Sequence, residues 1–152
     1  MGKVVTRTLR EDIVSSVGSL QTCAGHEGGC EAIIHSMRSM FEDESCEAVL
    51  LVDASNAFNP INRQVFLHNI AIICPSIATY VKNCYNTRLR LFVTGGIEIT
   101  SDEGTTQGDP IAMAVYAIAI IPLIILLVDE MESNNASIIS AISVVDEYFS
   151  ML

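Results

Sequence analysis

The sequence predicts an α+β domain, and three observations carry that prediction. Apolar residues recur at helical spacing before residue 45 and again between residues 62 and 85. A short unbroken apolar run, AVLLVD at Ala48–Asp53, has the length and content of a strand buried on both faces. The stretch RLRLFVTGGIEIT, Arg88–Thr100, alternates on either side of Gly95-Gly96, as a hairpin does. The resulting order of helix, strand, helices, hairpin, helix and strand describes an α+β layer, not a regularly alternating doubly wound sheet.

Val4, Val5, Leu9, Ile13, Val14 and Val17 share one helical face, so a first helix is expected over 4–17, with Gly18 stopping it. GSLQTCAGHEGGC reads as a loop, rich in glycine and small polar residues. Helical spacing resumes over Cys30–Phe41 with Ile33, Ile34, Met37 and Phe41, and the acidic FEDESCE turns the chain into AVLLVD. The next helix starts near Asn62, presents Val65, Phe66, Ile70 and Ile73, and ends at Pro75; another covers Ile77–Tyr85. After the hairpin and the loop SDEGTTQGDP comes a long apolar helix, Ile111–Val128. Pro122 is expected to kink or end it, because its ring removes a hydrogen bond. Beyond the polar ESNNAS, a final apolar run, Ile138–Val145, ends on Asp146-Glu147.

Half of the 152 residues are apolar, which suits one globular domain or part of one and excludes a disordered tail. The net charge of −10, from 18 acidic against 8 basic residues, is the wrong sign for unaided grip on phosphate backbones. Cys23, Cys30, Cys46, Cys74 and Cys84 form no C-x-x-C pair and read as reduced thiols, mostly core filler. His26 with Cys23 or Cys30 lacks paired zinc spacing and is taken as structural. MGKVVTRTLREDIV contains no apolar h-region, so an intracellular location, cytoplasm or nucleus, is expected. Ile111–Val128 nevertheless reaches the lower length limit of a membrane span. Its flanks carry Asp109, Asp129, Glu130 and Glu132 in place of the usual Lys/Arg anchors, which favours a buried core helix.

AVLLVD and IISAISVVD both finish on an aspartate, Asp53 and Asp146. Adjacent strands ending this way would gather two carboxylates at one sheet edge, where a divalent cation relieves their repulsion and desolvation. Such a pair with Mg2+ is the arrangement used for two-metal nucleotidyl transfer. The plainer alternative is that each aspartate caps the turn or helix that follows it.

VDASNAFN, containing Asp53 and Phe58, and EGTTQGDP, Glu103–Pro110, together resemble two successive motifs of the reverse transcriptase palm, most closely that of animal retroelements. The resemblance implies that Asp53 binds metal and that Phe58 stands beside the sugar of the incoming nucleotide. A bulky ring there would clash with a 2′-hydroxyl and favour deoxynucleotides. It also implies that Gln107 and Gly108 line the template and nucleotide pocket and that Pro110 opens the following helix. LQTCAGHEGGCEAIIHSMRSMFED looks like the lead-in from fingers to palm, so residues 1–47 are expected to be lead-in and 48–152 a partial palm, with fingers and thumb largely missing. The family's third motif is a pair of adjacent aspartates, and SVVDEYF matches it only in part: Asp146 would supply the second metal ligand, while Glu147 is longer than the family's residue.

The parent activity implied is RNA-directed DNA polymerisation with Mg2+, an RNA template, a DNA primer and dNTPs, and the fragment alone is expected to be inactive. Two other expectations come from different classes: a small membrane protein spanning at 111–128, or a non-catalytic module binding a protein through exposed apolar surface.

Overall fold

The computed structural model describes residues 1–22, 24–44, 46, 54–106 and 108–133. Within them lie six α-helices, a short 3-10 turn (Gly18–Leu20) and one hairpin: α1 (Gly2–Thr8), α2 (Arg10–Val17), α3 (Gly29–Phe41), α4 (Arg63–Ile73), α5 (Pro75–Tyr85), β1 (Leu89–Val93), β2 (Ile97–Ser101) and α6 (Ala112–Ser133). The α+β class therefore holds, with a two-stranded antiparallel sheet among the described residues. The runs expected as strands at Ala48–Asp53 and Ile138–Val145 lie outside the described residues.

The expected first helix divides at Leu9, whose φ of −105° and ψ of 20° leave the helical region. The hydrogen bonds Leu9 N–H to Val5 and Ile13 N–H to Leu9 carry across the break. The two pieces do different work: α1 buries no residue, whereas α2 buries Ile13 and Val17. At the other boundaries local chemistry decides. Asn62 caps α4, its side-chain oxygen accepting from the N–H groups of Gln64 and Val65 at 3.0 and 3.1 Å. Pro75 then ends α4 and begins α5, because it disfavours helical backbone before it and needs no partner at a first turn.

α4 packs against both α5 and α6, and α2 lies on α6. The core they enclose contains Ile13, Val17, Phe66, Ile70, Ile77, Val81, Ile111, Val115 and Ile118, each at most 2% exposed. Burial of each such side chain contributes about 1.5–3 kcal/mol. Phe66 meets Tyr85 edge-on, with centroids 5.6 Å apart.

α6 bears on two expectations. It does not end at Pro122 but continues to Ser133. Ile118, Ile121 and Ile124 around the proline are all buried, and that packing offsets the proline's cost of about 3 kcal/mol in a helix interior. Nor is the helix buried on every side: Leu123, Ile125, Leu126 and Leu127 are exposed, so only its first half forms core. It is long and apolar enough to cross a membrane, but half of that stretch is already covered by the rest of the chain.

The hairpin stands apart from this body. Its register pairs Leu91 with Ile99 and Val93 with Ile97, with Thr94–Gly96 as the connecting loop. One face therefore carries Leu91, Val93, Ile97 and Ile99, all exposed, and the other carries the Arg90–Glu98 ion pair.

Candidate functional site

The segment after the AVLLVD run folds into a tight turn. Asn56 adopts φ of +55°, a conformation asparagine tolerates better than most residues, and Asn59 N–H bonds back to Asn56 carbonyl at 3.1 Å. This turn points Phe58 inward, where it is 7% exposed and tilted against Tyr116 of α6 with centroids 5.0 Å apart. Ala112 and Tyr116 complete a small apolar cluster around it, separate from the main core.

The loop before α6 runs alongside this segment. Thr105 N–H donates to Phe58 carbonyl at 2.9 Å, and Gly104 N–H to Ile61 carbonyl at 2.8 Å, a two-rung ladder between stretches more than 40 residues apart. The approach is so close that a Cβ on Gly104 would lie 2.1 Å from Asn59 carbonyl oxygen. Only glycine fits there, and its φ is +71°.

Four residues on, Asp109 N–H closes a β-turn onto Thr106 carbonyl at 3.0 Å. Gly108 is the third residue of that turn, with φ of +83°, a conformation that favours glycine. It is exposed, and no described residue comes within 4 Å of where a Cβ would project, so another molecule has room to approach the backbone there. Asp109 is the turn's anchor. Its Oδ1 accepts from Ile111 N–H at 3.2 Å and its carbonyl from Ala112 N–H at 2.9 Å, which starts α6. Pro110 thus stands just ahead of the helix that begins at Ala112.

Two residues that sequence reading passed over hold this loop in place. Tyr85 donates its hydroxyl proton to Asp109 Oδ2 at 2.6 Å and accepts from Thr106 N–H at 3.2 Å, gripping both ends of the Gly108 turn. Burial, reinforced by the bond to Asp109, pushes this phenol up to about 12. Arg63 is 6% exposed and gives its guanidinium to the loop: Nε to Gly104 carbonyl at 2.9 Å, and its terminal nitrogens to Glu103 carbonyl at 2.9 Å and to Ser101 carbonyl and Oγ. The same guanidinium lies 5.6 Å from the centroid of the Tyr85 ring. Desolvation lowers its pKa, and Tyr85, Asp102 and Glu103 act in the opposite direction. A sequence signal for Arg63 did exist. It is a cation on the first residue of a helix, where the macrodipole disfavours positive charge, so a compensating set of acceptors had to come from elsewhere.

Of the residues singled out in the sequence, Phe58 and Gly108 are therefore brought into one neighbourhood, the ladder at Thr105 joining their segments. Taken alone, the packing of Phe58 is that of a core aromatic. Asp53, Gln107 and Asp146 lie outside the described residues. Among the described residues, no group of three or more His, Cys, Asp or Glu side chains gathers to hold a metal. Asp109, the carboxylate beside the Gly108 turn, has both oxygens engaged by Tyr85 and Ile111, so it is a structural anchor and not a free ligand. Neither protein-family models, nor curated proteins, nor solved structures give any match to this chain.

Proposed function

We propose that this chain is part of a reverse transcriptase palm, in which the VDASNAFN and EGTTQGDP segments form two walls of a nucleotide and template pocket. The observation that carries the reading is the ladder between them: Thr105 N–H on Phe58 carbonyl and Gly104 N–H on Ile61 carbonyl. Segments that serve one pocket must meet, and no local sequence rule requires these two to do so. The open space at Gly108 supports a wall that a base pair can approach. Tyr116 behind Phe58 supports a rigid ring, and a ring that excludes a 2′-hydroxyl has to be rigid to discriminate.

In this reading Asp53 and Asp146 are the residues that would hold Mg2+. When bound, that cation supplies charge neutralisation at the transferred phosphate and activation of the primer hydroxyl. Phe58 discriminates the sugar, Gln107 and Gly108 bound the template side, and Arg63 and Tyr85 fix the loop that carries them. RNA template, DNA primer and dNTPs are the partners, and an intracellular site of action accompanies them. The described residues alone provide little surface to hold a primer duplex, so this stretch by itself is expected to be inactive.

The test is primer extension on an RNA template with Mg2+, using the chain together with the reading frame that flanks it at its locus. Incorporation is expected to vanish with Asp53→Asn, and dNTP preference over rNTP to fall with Phe58→Ala. Incorporation that survives Asp53→Asn, or its absence from every flanking frame, refutes the proposal.

A further inference from the structure

α3 carries an apolar seam that stays open to solvent. The helix buries Gly29 and Ile33, so the side bearing Ile33 faces the body of the molecule. Around the helix from there, Met37 and Cys30 are half-buried, and Phe41 and Ile34 are 71% and 63% exposed. Cys30, Ile34, Met37 and Phe41 follow one another at spacings of four, three and four residues, which is the a/d seam of a coiled coil. Single exposed apolar residues are ordinary on a protein surface, whereas a continuous seam marks a surface that meets another.

Charge beside the seam selects what meets it. Glu31 and Arg38, seven residues apart and both exposed, line its outer flank at the e positions. Arg38 also pairs with Glu42 one turn further on. A second α3 laid antiparallel on the first sets Ile34 against Met37 and Cys30 against Phe41, each pair occurring twice about a two-fold axis. Small then opposes large at both ends of the seam. The same arrangement sets Glu31 of each copy against Arg38 of the other. Parallel pairing would set Arg38 against Ile33 instead, and would bring the two acidic helix ends together.

Those ends argue the same way. α3 runs out into Glu42, Asp43 and Glu44, three acids where its own macrodipole is negative. At its start Gly28 provides no capping side chain, and Glu27 is paired with Arg10. Antiparallel pairing puts each acidic end beside the other copy's positive, uncapped start. Two chains of net charge −10 repel, but from Gly29 to Phe41 one glutamate balances one arginine, so contact along α3 avoids most of that repulsion.

We propose that α3 is a self-association surface, on which a second copy of this chain docks its own α3 antiparallel to form a two-fold dimer. It uses none of the residues of the pocket proposed above and stands whether or not the palm reading does. Its 13 residues span about 20 Å, so the interface is small and the dissociation constant is expected on the order of 10–100 μM.

The test is sedimentation velocity of the whole chain from about 1 to about 300 μM, where a reversible monomer–dimer shift is expected. Ile34→Ser with Phe41→Ser, both exposed, should weaken association at least about tenfold and leave the far-ultraviolet circular dichroism unchanged. Glu31→Arg should weaken it as well, by setting arginine against Arg38. Glu31→Arg combined with Arg38→Glu should restore it to within about threefold of the wild type. That restoration separates a registered antiparallel pair from indiscriminate apolar clustering. Leu123→Ser with Leu126→Ser, on the exposed half of α6, should change nothing. A wild-type chain that stays monomeric throughout, as it would if another stretch of the chain covered the seam, overturns the proposal. So does association that ignores the α3 variants, that is lost with the α6 pair, or that the charge swap fails to restore.

Discussion

Gly104→Ala should destabilise the protein far more than an alanine at another glycine of positive φ. The added methyl would sit 2.1 Å from Asn59 oxygen, 2.6 Å from its carbonyl carbon and 2.7 Å from its Cα, all backbone atoms that no rotamer change can move. A left-handed conformation costs an ordinary residue about 1–2 kcal/mol. Relieving the clash means separating the two segments, which loses the Gly104–Ile61 and Thr105–Phe58 hydrogen bonds, at about 1 kcal/mol each. The bond from Arg63 to Gly104 carbonyl is strained as well. The sum is about 3–5 kcal/mol, a large part of a total stability of about 5–15 kcal/mol. Gly96→Ala is the control: its φ is +83°, but its Cβ would meet nothing within 4 Å. Only the conformational cost of about 1–2 kcal/mol applies there. Urea unfolding followed by far-ultraviolet circular dichroism compares the two at equal slope. Equal midpoints for Gly104→Ala and Gly96→Ala would refute the close docking of the 104–105 loop on the Phe58 segment.

The clamp and the core make further predictions. The Tyr85 phenol, ordinarily near 10, stands at about 12, so the folded state holds this proton more tightly than the unfolded state does. Its contribution is complete below pH 10 and drains away between pH 10 and pH 12, about 2–3 kcal/mol. Tyr85→Phe should remove that share of the alkaline loss, measured as unfolding midpoints against pH. It should also cost about 1–3 kcal/mol at neutral pH by stranding Thr106 N–H and Asp109. Some alkaline sensitivity should persist, because burial also raises Tyr116. Gln21 is 1% exposed, and neither atom of its amide has a hydrogen-bond partner among the described residues. Gln21→Leu is therefore expected to raise the unfolding midpoint by an amount corresponding to about 1–3 kcal/mol. A lower midpoint would show that the amide is bonded after all.

What could be read from the sequence was whatever local chemistry decides. Asn62 and Pro75 fixed the ends of α4 and α5 because a cap and a missing N–H act within a turn of their own position. Gly95 and Gly96 marked the hairpin for the same reason. The break at Leu9 carried no such signal, lying inside an unbroken apolar stripe. Pro122 did not stop its helix, where the isoleucines around it, Ile118, Ile121 and Ile124, are buried against the rest of the chain. At the candidate site, Phe58 and Gly108 stood out as residue types, but their joining did not. The Arg63 and Tyr85 clamp was least legible, because most of the Arg63 acceptors are backbone carbonyls, at Ser101, Glu103 and Gly104, that any residue type could have supplied.

The exposed hairpin has a consequence for motion. A two-stranded ribbon with no further strand beside it among the described residues is marginal by itself, and β1 and β2 draw little burial from the helices. Its inner end is nonetheless pinned, since Ser101 is held by Arg63 from the body of the molecule. Amide protons along Leu91–Ile99 should therefore exchange with solvent long before those of α4 and α6, and the protection should rise sharply at Ser101. The molecule behaves as a slowly opening helical block bearing a ribbon that frays from its glycine tip and stops at a fixed root.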